Sequence, residues 1–189
     1  MKALVLAFLT VACRANDPPR REAGIVPVVK DTAGLAARFR DTAVVNISFA
    51  DARAFPLRTP GQRDSLRSTL RKERELWRAA RPSDYQFLLR VDCFCPGRRG
   101  WLLIDVRRDQ PLRAWDRAGK PAALGDWNTF SIDGLFDMLE REVNMDGVVQ
   151  VAFDPRWHFP AAVRTVSLPG PDRWTIIDVR GLRPLTGEK

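Results

Sequence analysis

Between Tyr85 and Val91, apolar Tyr85, Phe87, Leu89 and Val91 alternate with Gln86, Leu88 and Arg90, and a second apolar run follows from Trp101 to Val106. Period-two alternation marks a half-buried strand, and Pro96-Gly97 between the runs supplies turn residues, so this stretch predicts a β-hairpin. Upstream, from Gln62 to Arg81, the period changes. Leu66, Leu70, Leu76, Trp77 and Ala80 fall on one side of a helix, while Arg63, Arg67, Arg71, Arg74, Arg78 and Arg81 line an adjoining arc of roughly 80°. A second helix is predicted where Ile132, Leu135, Phe136, Leu139 and Val143 recur at i, i+3, i+4, i+7 and i+11, with Ser131 as its N-cap and Asp133 in its first turn.

Further strands are expected over Leu112–Trp115, Val148–Phe153, Ala161–Leu168 and Arg173–Arg180, separated by turn signals at Arg107–Pro111, Asp154–Pro160 and Pro169–Asp172. The order is therefore helix and three strands, twice over. Helices that stand singly between runs of hairpin-linked strands predict an α+β domain: an antiparallel sheet of about six strands with two helices packed on one face. That domain is placed at residues 61–186. The preceding residues 25–60 read as an N-terminal extension in which Ala33–Arg40 suggests a short helix and Ala43–Phe49 a strand, with Thr59-Pro60-Gly61 as a break.

The first residues change the picture of where the protein works. Met1-Lys2 followed by the apolar Ala3–Ala12 has the form of a signal peptide over residues 1–12, too short to span a bilayer as a helix. Leu9-Thr10-Val11-Ala12-Cys13 resembles the lipobox of bacterial lipoproteins, with Thr10 departing from the usual aliphatic residue. Cys13 is then the expected lipidation site, and the Pro-rich, charged residues 13–24 a tether. The expected location is extracytoplasmic: a periplasmic or cell-surface lipoprotein, or otherwise a secreted protein. The formal charge of +8 falls to +7 once Lys2 leaves with the signal. Such a balance would ordinarily suggest nucleic acid, but an exported protein rarely meets it, and none is expected as a partner.

Several features together resemble a bacterial family of exported and lipoprotein-type proteins, domain of unknown function number six-one-seven-four. They are Leu76-Trp77-Arg78-Ala79-Ala80-Arg81-Pro82-Ser83-Asp84-Tyr85, the Cys93-x-Cys95 pair, Thr129–Asp137, and Val151-Ala152-Phe153-Asp154 followed by Phe159-Pro160. The resemblance covers roughly the last 115 residues and leaves 25–60 outside. It implies location and fold class and brings no activity. Where the family has Gly-Tyr-Pro this chain has His158-Phe159-Pro160, and a glycine there would permit a positive φ that histidine adopts less readily.

Candidate chemistry is sparse. With Cys13 lipidated, Cys93 and Cys95 are the two remaining thiols, and an oxidising compartment favours their pairing as a disulfide. In a regular strand their Cα atoms would lie about 6.6 Å apart, near the upper limit for a bridge, so the chain must leave strand geometry to close it. The alternatives are a thiol redox role and a soft-metal site in which two thiolates would need help from His158 or another chain. His158, the single histidine, would have to serve any hydrolase, and nothing in the sequence places a nucleophile beside it. No catalytic residue, metal site or cofactor is assigned. The residues singled out for binding are Trp127, Trp157 and His158, in expected loops, and the basic stripe Arg67, Arg71, Arg74 and Arg78, which would suit anionic headgroups or an acidic partner. The expected function is an exported, lipid-anchored, non-catalytic binding or envelope-associated protein with a protein, glycan or lipid ligand, held at the membrane through its lipid anchor.

Overall fold

The computed structural model describes residues 32–40, 49–93, 100–122, 131–167 and 174–185. Its elements are α1 (Thr32–Arg40), β1 (Arg53–Pro56), α2 (Pro60–Ala80), β2 (Asp84–Cys93), β3 (Trp101–Arg107), β4 (Gln110–Trp115), α3 (Ile132–Glu142), β5 (Gly147–Phe153), β6 (Pro160–Ser167) and β7 (Trp174–Pro184). The strands form one seven-stranded sheet in the order β1-β5-β6-β7-β2-β3-β4, with every neighbouring pair antiparallel. The class is α+β, with one strand more than the six expected. The two strand triplets join through β2 and β7, so the centre of the sheet is a pairing between residues about 90 positions apart, such as Leu89 with Val179.

The additional strand is β1, at the edge beside β5. Four residues give too brief an alternation to be read as a strand; Phe55 inserts into the core at 3% exposure and the β5 edge supplies the hydrogen-bond partners. Of the strand expected over 43–49, residues 43–48 lie outside the described residues, and Phe49 belongs to a 3-10 turn, Phe49–Asp51. The stretch 25–60 thus contributes both α1 and β1 to the body of the fold.

Thr59-Pro60-Gly61 does not break the chain but starts α2. The Thr59 hydroxyl accepts from the Gln62 N–H and the Gln62 side chain accepts from the Thr59 N–H, a capping box. Pro60 occupies the first turn, where its missing N–H is not needed and its fixed φ is already helical. Leu66, Leu70 and Trp77 are fully buried along α2, whereas Leu76 is 37% exposed and Ala80 is exposed, so the apolar stripe is narrower than the periodicity suggested. Helix α3 begins as expected, with the Ser131 hydroxyl accepting from the Gly134 N–H at 3.0 Å.

Alternation sorts the strands onto two faces. Tyr85, Phe87, Leu89, Ile104, Val106, Val149, Val151, Val163, Ile177 and Val179 join the buried residues of α2 and α3 in one core. On the opposite face Leu88, Leu103 and Trp115 form a smaller cluster with Leu35 of α1, flanked by Phe39 and Trp101. The two long helices therefore share one face, and α1 covers part of the other.

Candidate functional site

The arginine stripe of α2 lies along its seam with α3, where acidic residues of α3 meet it. Arg74 is the most engaged. Its Nη2 lies 2.6 Å from Asp137 Oδ1 and 3.6 Å from Asp133 Oδ1, and its Nη1 lies 3.0 Å from Glu140 Oε1. Burial works against the charged guanidinium, yet the hydrogen bonds to Asp137 and Glu140 hold its pKa above the ordinary arginine value. Asp133, in the first turn of α3, also accepts from Trp77 Nε1 at 3.2 Å and from Arg81 Nη1 at 2.8 Å. Arg81 in turn donates to Asp109. Both residues sequence reasoning offered as a surface and those it explained as helix caps thus meet in one network.

The remaining arginines of the stripe are more open. Arg67 donates to Asp64 at 2.9 Å and to Asn144 at 2.8 Å. Arg78, 56% exposed, approaches Asp133 only to 3.7 Å. Arg71 is exposed, and no hydrogen bond or ion pair engages its guanidinium among the described residues. Arg67, Arg71, Arg74, Glu75, Arg78 and Glu140 line an open groove of about 380 Å³. Its least exposed side chain is the charge-balanced Arg74, and Arg67, Arg71 and Arg78, with Glu75, face solvent around it. Guanidinium forks open to solvent suit a small anionic group such as a phosphate or carboxylate.

His158 stands elsewhere, in the loop between β5 and β6. Asp154 organises that loop: its Oδ1 accepts from the N–H groups of Arg156 and Trp157 at 2.9 and 2.7 Å, and its backbone bonds to His158 and Phe159. His158 takes φ +62°, the left-handed conformation for which glycine is the usual residue, and its Nδ1 lies 3.0 Å from Glu73 Oε2 of α2. The histidine is thereby committed to joining this loop to the helix. Trp157 is half-buried against the main core, with Arg156 over its ring at 4.9 Å. Cys13, Cys95 and Trp127 lie outside the described residues, and Cys93 ends β2 opposite Thr175.

A second charged cluster escaped sequence reasoning. On the sheet face that carries α1, Arg90 donates to Asp178 Oδ2 through Nε at 2.9 Å and Nη2 at 2.5 Å, and Asp178 is 4% exposed. Arg90 and Arg180 also lie over the ring of Trp101, at 5.3 and 5.1 Å from its centroid. The only trace in the sequence is the polar half of each strand's alternation. Among the described residues no group of three His, Cys, Asp or Glu side chains is placed to hold a metal, and no helix is long and apolar enough to cross a membrane.

No curated protein and no solved structure matches the chain. A family of unknown function, DUF6174, matches residues 69–165. That span runs from Thr69 in the third turn of α2 to Thr165 of β6 and takes in Arg71, Arg74, Arg78, Glu140 and His158. The chain belongs to this family.

Proposed function

We propose that this is an exported, lipid-anchored, non-catalytic binding protein whose α2 groove receives an anionic group. The observation that carries the reading is the groove itself: three solvent-facing arginines, one of them with no partner among the described residues, around an Arg74 already charge-balanced by α3. A ligand anion would complete Arg71 without having to compete for it, whereas displacing Asp137 or Glu140 from Arg74 would cost both hydrogen bonds and charge pairing. The signal-like N-terminus and Cys13 support export and lipidation, and the tether of residues 13–24 would hold the groove within reach of a membrane surface. Cys93 and Cys95 are assigned a structural disulfide that closes the hairpin end.

Two measurements test this. Intact mass of the mature protein from its native host, after alkylation without reductant, should show a diacyl or triacyl addition at Cys13 and no alkylated thiol. The mature chain without its lipid should sediment with vesicles containing anionic phospholipid and less with neutral ones, and the attraction should weaken as salt rises. Arg71→Glu with Arg78→Glu should reduce it at least about tenfold, which corresponds to roughly 1.4 kcal/mol. Equal sedimentation with neutral vesicles, or no response to the double substitution, would remove the groove as the binding surface.

A further inference from the structure

We propose that the sheet face opposite α2 and α3 is a docking surface for an acidic polypeptide segment, seated on β6 and β7 beside α1. Part of this face already holds polypeptide. Helix α1 rests there through Leu35 and Phe39 on the cluster of Leu88, Leu103 and Trp115, and Arg38 donates to Gln86 of β2. The adjoining half carries Arg164 on β6 and Ile176, Asp178 and Arg180 on β7. The alternation that sends Val163, Ile177 and Val179 into the main core sends these residues the other way.

Charge makes the half-face asymmetric. Its acidic residues are Asp178, buried and consumed by Arg90, and Asp92 of β2, which lies opposite Ile176 and 3.4 Å from the same guanidinium. Arg164 is exposed, and its cross-strand neighbours are Gln150 and Ile176 rather than a carboxylate. Arg180 is half-buried with its guanidinium over the Trp101 ring, and no carboxylate pairs with it among the described residues. A solvated antiparallel face ordinarily intersperses opposite charges across neighbouring strands. Here Arg90 answers both carboxylates, and two further guanidinium groups, Arg164 and Arg180, remain beside partly buried Ile176 and Trp101. Arginine beside aromatic and aliphatic surface is the composition of interface centres, and the charge selects an acidic partner. The continuity with the seat of α1 favours a polypeptide over a flat lipid surface.

The experiment uses the mature chain and a fluorescein-labelled deca-glutamate peptide, read by anisotropy at low and high salt, beside sedimentation with anionic vesicles. Arg164→Glu and Arg180→Glu should each weaken peptide binding at least about tenfold, Arg164→Lys and Arg180→Lys should change it only a few-fold, and Arg71→Glu should leave it unaltered. Arg164 is exposed, so its variants fold even if those of Arg180 do not, and Arg164 alone then decides the matter. Peptide binding that ignores both arginines, or follows Arg71 instead, overturns the proposal. So does a result in which Arg164→Glu abolishes vesicle binding and spares the peptide, because the face would then serve a bilayer. This surface is separate from the α2 groove, and either reading can fail while the other stands.

Discussion

His158 Nδ1 and Glu73 Oε2, 85 residues apart in sequence, lie 3.0 Å from one another and tie the β5–β6 loop to α2. The same histidine holds φ +62°, a conformation that costs a non-glycine residue about 1–2 kcal/mol. The side-chain contact and the backbone strain therefore oppose one another at a single position. His158→Ala keeps the strain and loses the contact, and should destabilise by about 1–2 kcal/mol. His158→Gly loses the contact but relieves the strain, and should fall within about 1 kcal/mol of the parent. Urea denaturation of the two variants side by side checks this; equal losses would mean that the left-handed backbone carries no strain.

Asp133 joins α2 to α3 by receiving both Trp77 Nε1 and Arg81 Nη1. Trp77 is fully buried and makes edge-to-face contacts with Tyr85 at 5.5 Å and Phe159 at 6.1 Å. Asp133→Ala would strand the indole N–H inside the core and take a carboxylate from three arginines, Arg74, Arg78 and Arg81. A loss of about 2–3 kcal/mol is expected, readable as a lowered urea midpoint at unchanged slope. A change under about 0.5 kcal/mol would mean that the network contributes nothing at the seam.

Asp105 on β3 is 7% exposed and its Oδ1 has no hydrogen-bond partner. Burial pushes its carboxyl above the ordinary aspartate value, against the opposing pull of the Gln86 hydrogen bond and of Arg113, Arg107 and Arg38. The folded chain therefore keeps this proton to a higher pH than the unfolded chain does. Its contribution to stability is complete below the unfolded pKa and is lost as pH rises through the folded one. Asp105→Asn removes that loss and should be more stable than the parent at pH 8 by on the order of 1 kcal/mol. The two should converge toward pH 4, and urea midpoints across that range decide it. A variant less stable than the parent at pH 8 would show that the charged form is welcome where it lies.

Gly147 opens β5 at φ +155°, and a Cβ added there would stand 2.0 Å from the backbone oxygen of Val166. The obstruction belongs to the neighbouring strand and cannot rotate away as a side chain would. Gly147→Ala should cost about 3 kcal/mol or more, or prevent folding. Thermal unfolding of purified protein, or the yield of soluble chain, reports it. Gly61→Ala, in the first turn of α2 with open space around it, is the matched control and should be neutral or stabilising.

Much of the architecture was legible because local periodicity and tertiary burial agree. The alternation at Tyr85–Val91 and the i, i+3, i+4 spacing in α3 each describe a face that the fold then covers. Legibility failed at Thr59-Pro60-Gly61, where residues that stop a helix when inside it start one when at its front. It also failed at β1, whose four residues become a strand only because β5 offers an edge. In the candidate site, the five arginines of α2 and Arg81 at its C-cap could be counted, but not which of them remain available. Arg74 is neutralised by carboxylates 63 and 66 residues away, and Arg71 is not.

The sequence by itself determined the two long helices and the strands β2 to β7, because hydrophobic period and capping chemistry act within one or two turns of chain. Together with the tandem order of helix and three strands, that was enough for the α+β class. Tertiary structure alone decided the pairing of β2 with β7, the seat of α1 on the far face, the left-handed His158 and the charge balance of each arginine. These depend on contacts between residues tens of positions apart, and neither propensity nor period carries information over that distance.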